Sequence, residues 1–113
     1  DAIVVSNHGG RQLDGAESSI AMLPEVVAAV GNEIDVWMDS GVRSGQDVLK
    51  AIALGAKGVM IGRAFIYALG ATGKQGVSDA LHIIHKELDY TMAMCGHRDI
   101  HNVDRQILRN CPF

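Results

Sequence analysis

Short apolar runs, separated by polar segments that contain glycine, set the pattern of this chain. Three of these runs are rich in valine and isoleucine and short, and they predict β-strands at Ala2–Ser6, Ile34–Asp39 and Lys57–Gly62. The first and third runs do not alternate with polar residues. That pattern is typical of strands that are covered on both faces in a parallel sheet.

A helix is predicted in each gap between the strands. Residues 18–31 offer Ser18 and Ser19 as N-caps and Gly31 at the C-terminal end. Pro24 lies near the first turn of this helix, where proline is tolerated, or marks the start of a shorter helix.

The second predicted helix, within residues 44–55, has the clearer end signals. Ser44 suits an N-cap, Asp47 lies near the positive end of the helix dipole, and Gly55 suits the C′ position. Strands and helices therefore alternate along the chain. This alternation predicts an α/β fold with a parallel sheet and right-handed crossovers.

The pattern changes after the third strand, and helices dominate. We predict a short helix at Ala64–Leu69, a longer one at Val77–Met94 that packs outside the sheet, and a last one at Asn102–Leu108 capped by Asn102. The longer helix is predicted from apolar residues at helical spacing: Val77, Leu81, Ile84, Leu88 and Met92.

Composition narrows the classes of function. The 113 residues are 48% hydrophobic and 20% charged, with a net charge of −3, so a folded domain is expected and nucleic acid is not an expected partner. No apolar run is long enough to span a bilayer. The two isolated cysteines, Cys95 and Cys111, favour a reducing compartment and hence a cytoplasmic protein.

Three parallel strands leave two unpaired edges and need cover on both faces. The sequence also begins almost directly on a strand. Both features lead us to expect that residues 1–113 are the C-terminal part of a larger domain.

Each predicted strand ends in polar residues beside glycine, and sites in parallel α/β folds lie at the carboxyl ends of strands. After the second strand, Gly41 and Gly45 allow a close backbone approach, and Arg43 lies where a helix begins. Gly62-Arg63 repeats this arrangement at the next strand end. Together they predict a phosphate site.

Asp39, at the end of the second strand, can accept hydrogen bonds from hydroxyl groups attached to that phosphate. The alternative is that Asp39 only caps the strand end and that Arg43 and Arg63 are solvated; the repeated arrangement favours the phosphate site.

The first strand ends at the segment SNHGGRQLD, which contains His8 and Arg11. Arginine binds a carboxylate through two parallel hydrogen bonds, and histidine can take a proton from a substrate near neutral pH. The pair suits a small acid with a removable hydrogen near its carboxylate. On spacing alone, a histidine that only shapes the turn explains the segment equally well.

The segments SNHGGRQLDG and DSGVRSGQDVLKAIALGAKGVMIGRAF closely resemble the FMN-dependent α-hydroxy acid oxidase and dehydrogenase family. That family includes glycolate oxidase, mandelate dehydrogenase and L-lactate dehydrogenase, and the segments SNHGGRQLDG and IGRAFIYAL look most like those of bacterial L-lactate dehydrogenases. The resemblance covers nearly all of residues 1–108. It implies a (β/α)8 TIM barrel, of which this chain supplies the last three βα units and the C-terminal helices.

The resemblance also implies roles for individual residues. His8 matches the catalytic base and Arg11 the residue that binds the substrate carboxylate. Eight residues match positions around the FMN cofactor: Ser6 near the flavin, Asp39 on the ribityl chain, and Ser40, Gly41, Val42, Arg43, Gly62 and Arg63 around the phosphate and ribityl groups. Ser40 replaces a glycine found in many members.

The implied activity is oxidation of a lactate-like L-2-hydroxy acid to the 2-oxo acid. The family draws further site residues from earlier strands, so the resemblance implies that the rest of the barrel comes from a second chain or from residues outside this sequence. It also implies a homo-oligomer and leaves peripheral attachment to the inner membrane open.

Two other functions stay open: another phosphate-binding (β/α)8 enzyme such as an FMN-dependent isomerase, and a non-catalytic segment that binds FMN or assembles with a partner. No metal is expected. Cys95, His97, His101 and Cys111 match none of the standard zinc spacings, and His82 with His85 is more simply a surface pair.

Overall fold

A computed structural model describes residues 1–109. Strands and helices alternate along these residues in the order β1 (Ala2–Val5), α1 (Ser19–Val30), β2 (Asp35–Met38), α2 (Gly45–Ala53), β3 (Gly58–Val59) and α3 (Arg63–Met94). Short 3-10 turns occur at His8–Gly10, Ile100–Asn102 and Arg105–Ile107. Cys111, one of the residues considered as a zinc ligand, lies outside the described residues.

The three strands form one parallel sheet in the order β1-β2-β3, which confirms the predicted α/β arrangement. The third strand is shorter than predicted, although Lys57 and Met60 continue its ladder by donating to the carbonyl oxygens of Val36 and Met38 at 2.8 and 2.9 Å. The chain leaves the sheet there because Gly62 is already the N-cap of α3.

Helix α1 begins at Ser19 with Ser18 as its N-cap, although the Ser18 side chain makes no capping hydrogen bond. Pro24 lies inside this helix, so the alternative of a shorter helix starting at Pro24 is wrong. Gly31 ends the helix in a right-handed conformation and donates its N–H to the carbonyl of Val27 at 2.9 Å.

The predicted end signals of α2 are confirmed. The Ser44 side chain accepts from the N–H of Asp47, and the Asp47 carboxylate accepts from the N–H of Ser44, so both halves of a capping box are present. Gly55 follows the C-cap with a φ of +104°, a left-handed conformation that favours glycine.

The two helices predicted after β3 are both present within α3, on either side of non-helical backbone at Thr72 and Gly73. Beyond this break, α3 packs mainly against α2. Gly45 permits the close crossing, because a β-carbon there would overlap the backbone of Glu87 and Leu88. The sequence predicted contact with the outside of the sheet, whereas α2 lies between.

The predicted last helix at Asn102–Leu108 is replaced by two 3-10 turns. Their caps are Asp99 and Asp104, whose carboxylates accept from the N–H groups of His101 and Gln106 at 2.9 and 2.8 Å. Asn102 is not the cap, since its side chain donates to Asp99 instead.

Apolar side chains from the sheet, α1 and α2 form the main core. Leu23, Val36 and Met38 are almost fully buried in it. A second cluster joins α2 to α3 and the C-terminal turns through Leu49, Ala53, Val103 and their neighbours.

The opposite face of the sheet is open within the described residues. Val4 pairs with Trp37 and Trp37 with Gly58, so their side chains share that face with Met60. Val4, Trp37 and Met60 are 44%, 37% and 41% exposed. The expectation that both faces are covered is therefore met on one face only, and Trp37 is not a core residue here.

No helix among residues 1–109 combines the length and the apolar character needed to cross a membrane.

Candidate functional site

The carboxyl ends of the three strands border one pocket of about 300 Å³. Nine of the ten site residues predicted from the sequence line it: His8, Arg11, Asp39, Ser40, Gly41, Val42, Arg43, Gly62 and Arg63. The pocket also has apolar walls that sequence reasoning missed, contributed by Met60, Ile61, Ala64 and Ile66. These are the strand end of β3 and the first turn of α3, so their position depends on where the helix begins.

Ser6 is the predicted residue that does not line the pocket. Its hydroxyl instead accepts from the N–H of His8 at 3.1 Å. A second bond, from the N–H of Gly10 to the carbonyl of Asn7 at 3.0 Å, closes the same turn. Ser6 therefore shapes the loop that carries His8.

This loop after β1 has left-handed backbone at three successive residues. The φ angles of His8, Gly9 and Gly10 are 54°, 72° and 69°. Glycine adopts such angles readily, whereas His8 does so at a cost in strain energy. The tight turn directs the chain back across the pocket, so that Arg11 lines the same cavity as His8.

Residues from the other two strand ends hold the peptide groups of Gly9 from both sides. The N–H of Gly9 donates to Oγ of Ser40 at 3.1 Å, and Nη2 of Arg63 donates to the carbonyl of Gly9 at 3.0 Å. We call this pair of contacts the Gly9 clamp. A β-carbon at Gly9 would lie 3.0 Å from Nη2 of Arg63, so glycine also makes room for the guanidinium.

Asp39 continues this network. Its Oδ1 accepts from the hydroxyl of Ser40 at 2.7 Å, while its own N–H continues the β-ladder to the carbonyl of Val5 at 3.1 Å. The second carboxylate oxygen has acceptor capacity left, and Asp39 lines the pocket. A ligand hydroxyl can be accepted there.

The N-terminus of α2 differs from the sequence expectation. Asp47 accepts from the N–H groups of Arg43 and Ser44 at 3.0 and 3.1 Å, and Glu87 accepts from Gly45 at 2.9 Å. Because two carboxylates already use these donors, α2 does not offer them to an anion. Glu87 lies 42 residues away on α3, so its capping contact cannot be read from local sequence.

The N-terminus of α3 is better suited to an anion. Its N-cap is Gly62, which has no side chain to cap the helix, and the first N–H groups, of Arg63 and Ala64, have no hydrogen-bond acceptor among residues 1–109. The guanidinium of Arg43 lies on the same pocket and has no carboxylate partner in the described part of the chain. Arg43, Arg63 and one helix start therefore supply the positive side of the pocket, and Arg11 lines the same pocket.

No group of three histidine, cysteine or acidic side chains comes together in residues 1–109. Cys95 is exposed at the end of α3 rather than buried in it.

The sequence model of FMN-dependent dehydrogenases matches residues 1–110. An L-lactate dehydrogenase from Caulobacter sp. (strain K31) is 56% identical over 108 residues, which are 96% of this chain and 28% of that protein. The 2-hydroxyacid oxidase 1 of Mus musculus is 47% identical over all of this chain and 30% of its own length. The chain thus spans less than a third of each of these relatives.

A solved structure gives the same picture in three dimensions. It is a soluble mutant of the membrane-associated (S)-mandelate dehydrogenase from Pseudomonas putida, with a TM-score of 0.93 and 44% sequence identity. The superposition covers 97% of this chain and 31% of that one.

Proposed function

The chain belongs to the FMN-dependent dehydrogenase family, and we propose that the protein containing it oxidises a lactate-like L-2-hydroxy acid to the 2-oxo acid. One observation carries the proposal. A single pocket of about 300 Å³ brings His8 and Arg11 together with Arg43 and Arg63. That combination offers a proton acceptor, a carboxylate-binding group and an anion site at neighbouring strand ends.

The residues present fit FMN. Arg43, Arg63 and the N–H groups that begin α3 suit its phosphate, because charge-assisted hydrogen bonds and a helix start both favour an anion. Asp39 has a carboxylate oxygen left for a ribityl hydroxyl, and Ser40, Gly41, Val42 and Gly62 line the space beside it. Bound there, FMN would supply the acceptor for the two electrons of the oxidation.

His8 and Arg11 are the two residues proposed to contact the substrate. The guanidinium of Arg11 binds the carboxylate of the hydroxy acid through two hydrogen bonds and so fixes its orientation. Conversion of the hydroxy acid to the oxo acid breaks its O–H and Cα–H bonds and releases two electrons and two protons. An imidazole nitrogen of His8 accepts one proton, and the two electrons with the other proton would pass to FMN. The left-handed turn at His8–Gly10 keeps these two side chains on one pocket.

We propose that residues 1–113 are the C-terminal portion of a single (β/α)8 barrel domain and supply its last three βα units. The other units would come from a second chain or from residues outside this sequence. The open sheet face supports this, because Val4, Trp37 and Met60 there are large apolar residues that a barrel interior would bury.

The assembled protein is proposed to be a cytoplasmic homo-oligomer, with peripheral attachment to the inner membrane as the alternative location. The membrane-associated mandelate dehydrogenase, at 44% identity, is the similarity that supports the alternative.

The test is anaerobic reduction of the full-length flavoprotein by L-lactate and other short 2-hydroxy acids, followed in the visible flavin bands. His8→Gln should slow reduction by roughly 10²–10⁴-fold while the flavin stays bound. The matched control is His82→Gln, because His82 is an exposed histidine on α3. The flavin of this variant should be reduced at the parent rate. If the flavin of His8→Gln is reduced within a few-fold of the parent rate, His8 is not the proton acceptor and only shapes the turn.

A further inference from the structure

Ser40 has a backbone conformation that a serine rarely adopts. Its φ is +70°, in the left-handed region where glycine is favoured and a β-carbon adds strain. The strain is local, and the chain could avoid it by placing glycine there. A serine at this position therefore suggests that its side chain makes contacts that offset the backbone strain.

The Ser40 hydroxyl makes two hydrogen bonds in opposite directions. It accepts from the N–H of Gly9 at 3.1 Å and donates to Oδ1 of Asp39 at 2.7 Å. Because a charged acceptor polarises the hydroxyl, its bond to Gly9 is strengthened as well. The chain of contacts runs from a charged group at the end of β2 to the loop that carries His8.

That loop needs such a contact. His8, Gly9 and Gly10 all have left-handed backbone, and two of the three residues lack a side chain. Glycines have many accessible backbone states, so the position of His8 depends on what holds the adjacent peptide. Ser40 holds the N–H side of Gly9, and Arg63 holds the carbonyl side.

We propose that Ser40 is a positioning residue for His8, which acts through the Gly9 peptide without itself contacting the substrate. This inference rests on the proposed function, since it assigns His8 the role of proton acceptor. It separates two properties of position 40: the hydroxyl orients the loop, and the β-carbon strains the backbone.

Three variants of the full-length protein separate these properties. Ser40→Ala removes the hydroxyl and keeps the β-carbon, Ser40→Gly removes both, and Ser40→Thr keeps the hydroxyl while adding a branched side chain at a positive φ. We expect flavin reduction per bound FMN to fall by about 10-fold to 100-fold in Ser40→Ala and Ser40→Gly, because small displacements of a catalytic group have large effects on rate.

Stability should follow a different order from rate. Ser40→Gly should melt at a higher temperature than Ser40→Ala, since glycine relieves the strain and both variants lack the hydroxyl. Ser40→Thr should reduce its flavin faster than Ser40→Ala yet melt no higher. Ser78→Ala, at an exposed serine on α3, is the control and should match the parent in both measurements.

The measurements are single-turnover reduction at saturating substrate, flavin content by absorbance, and thermal melting. Rates that follow the melting temperatures, with Ser40→Gly faster than Ser40→Ala and Ser40→Thr slowest, would overturn the proposal. So would full rates in Ser40→Ala, or a loss of rate explained entirely by lost flavin. If no 2-hydroxy acid reduces the flavin of the parent protein, the proposed function itself fails. That outcome is distinct from any result of the variant series, because it concerns the parent protein.

Discussion

Substitution of Arg11 is the most direct test of the proposed substrate binding, because its proposed role depends on the planar shape of the guanidinium as well as on its charge. It lines the pocket beside His8, after a turn that is held by the Gly9 clamp. Lysine keeps the positive charge but lacks the planar pair of donors that matches a carboxylate. We therefore expect Arg11→Lys to weaken substrate binding and to slow flavin reduction together.

Titration of the reduction rate with L-lactate in the full-length protein measures both effects. Loss of one charge-assisted contact corresponds to roughly 1.5–3 kcal/mol, or about a 10-fold to 150-fold rise in apparent Kd. Arg98→Lys, at an exposed arginine beyond α3, is the matched control. An unchanged Kd would remove Arg11 from the substrate site.

The structure makes the Arg43 side chain more important for the proposed binding of the FMN phosphate. The backbone N–H groups beside it already donate to Asp47 and Glu87. Under the proposed function, the Arg43 side chain rather than the start of α2 supplies that side of the phosphate site. Arg43→Ala should raise the Kd for FMN by about 10-fold to 150-fold. Fluorescence titration of the apoprotein with FMN gives this value, and retention of full affinity would contradict the assignment.

At the residue scale, the sequence identified the pocket residues but not the contacts among them. Glycine and arginine near each strand end form a local pattern that indicated the site, and the family resemblance supplied the remaining residues; nine of the ten line one pocket. The Gly9 clamp joins residues 31 and 54 positions apart, so no local pattern contains it. The same holds for Glu87 on Gly45.

Among the elements, the crossing of α2 and α3 is the feature that fixes the start of α2. Gly45 is buried where the backbone of Glu87 and Leu88 passes, and a β-carbon would overlap it. Gly45→Ala should therefore destabilise the full-length protein by about 1–3 kcal/mol, the usual cost of overpacking.

Gly70→Ala provides the matched control in chemical denaturation. Gly70 lies in α3 with open space where its β-carbon would be, so alanine should be neutral or stabilise by about 0.5–1 kcal/mol. Equal effects of the two substitutions would show that the α2–α3 crossing does not depend on Gly45.

End signals explain which elements were predictable. Ser44, Asp47 and Gly55 bound α2 as expected, because a capping box and a left-handed glycine act within one turn of the helix. The last predicted helix failed because Asp99 and Asp104 each cap a short turn of their own. The two helices predicted after β3 meet at Thr72 and Gly73, where Gly73 has a positive φ of 63°.

For the molecule as a whole, the open sheet face predicts how residues 1–113 behave alone. Trp37 is the single tryptophan of the chain and is 37% exposed on that face beside Val4 and Met60. The isolated chain should therefore bind a hydrophobic dye strongly, and acrylamide should quench its tryptophan fluorescence readily. A compact isolated chain with a protected Trp37 would contradict the proposed barrel.

The strand order, which follows the order of the chain, has a consequence for biosynthesis. Gly9 leaves the ribosome well before its two partners, and Arg63 is 54 residues behind it. At about 5–20 residues per second, roughly 3–11 s pass before the arginine can reach the carbonyl of Gly9. The loop that carries His8 is thus translated well before the residues that hold it. During that interval a nascent chain exposes a glycine-rich segment to proteases and chaperones.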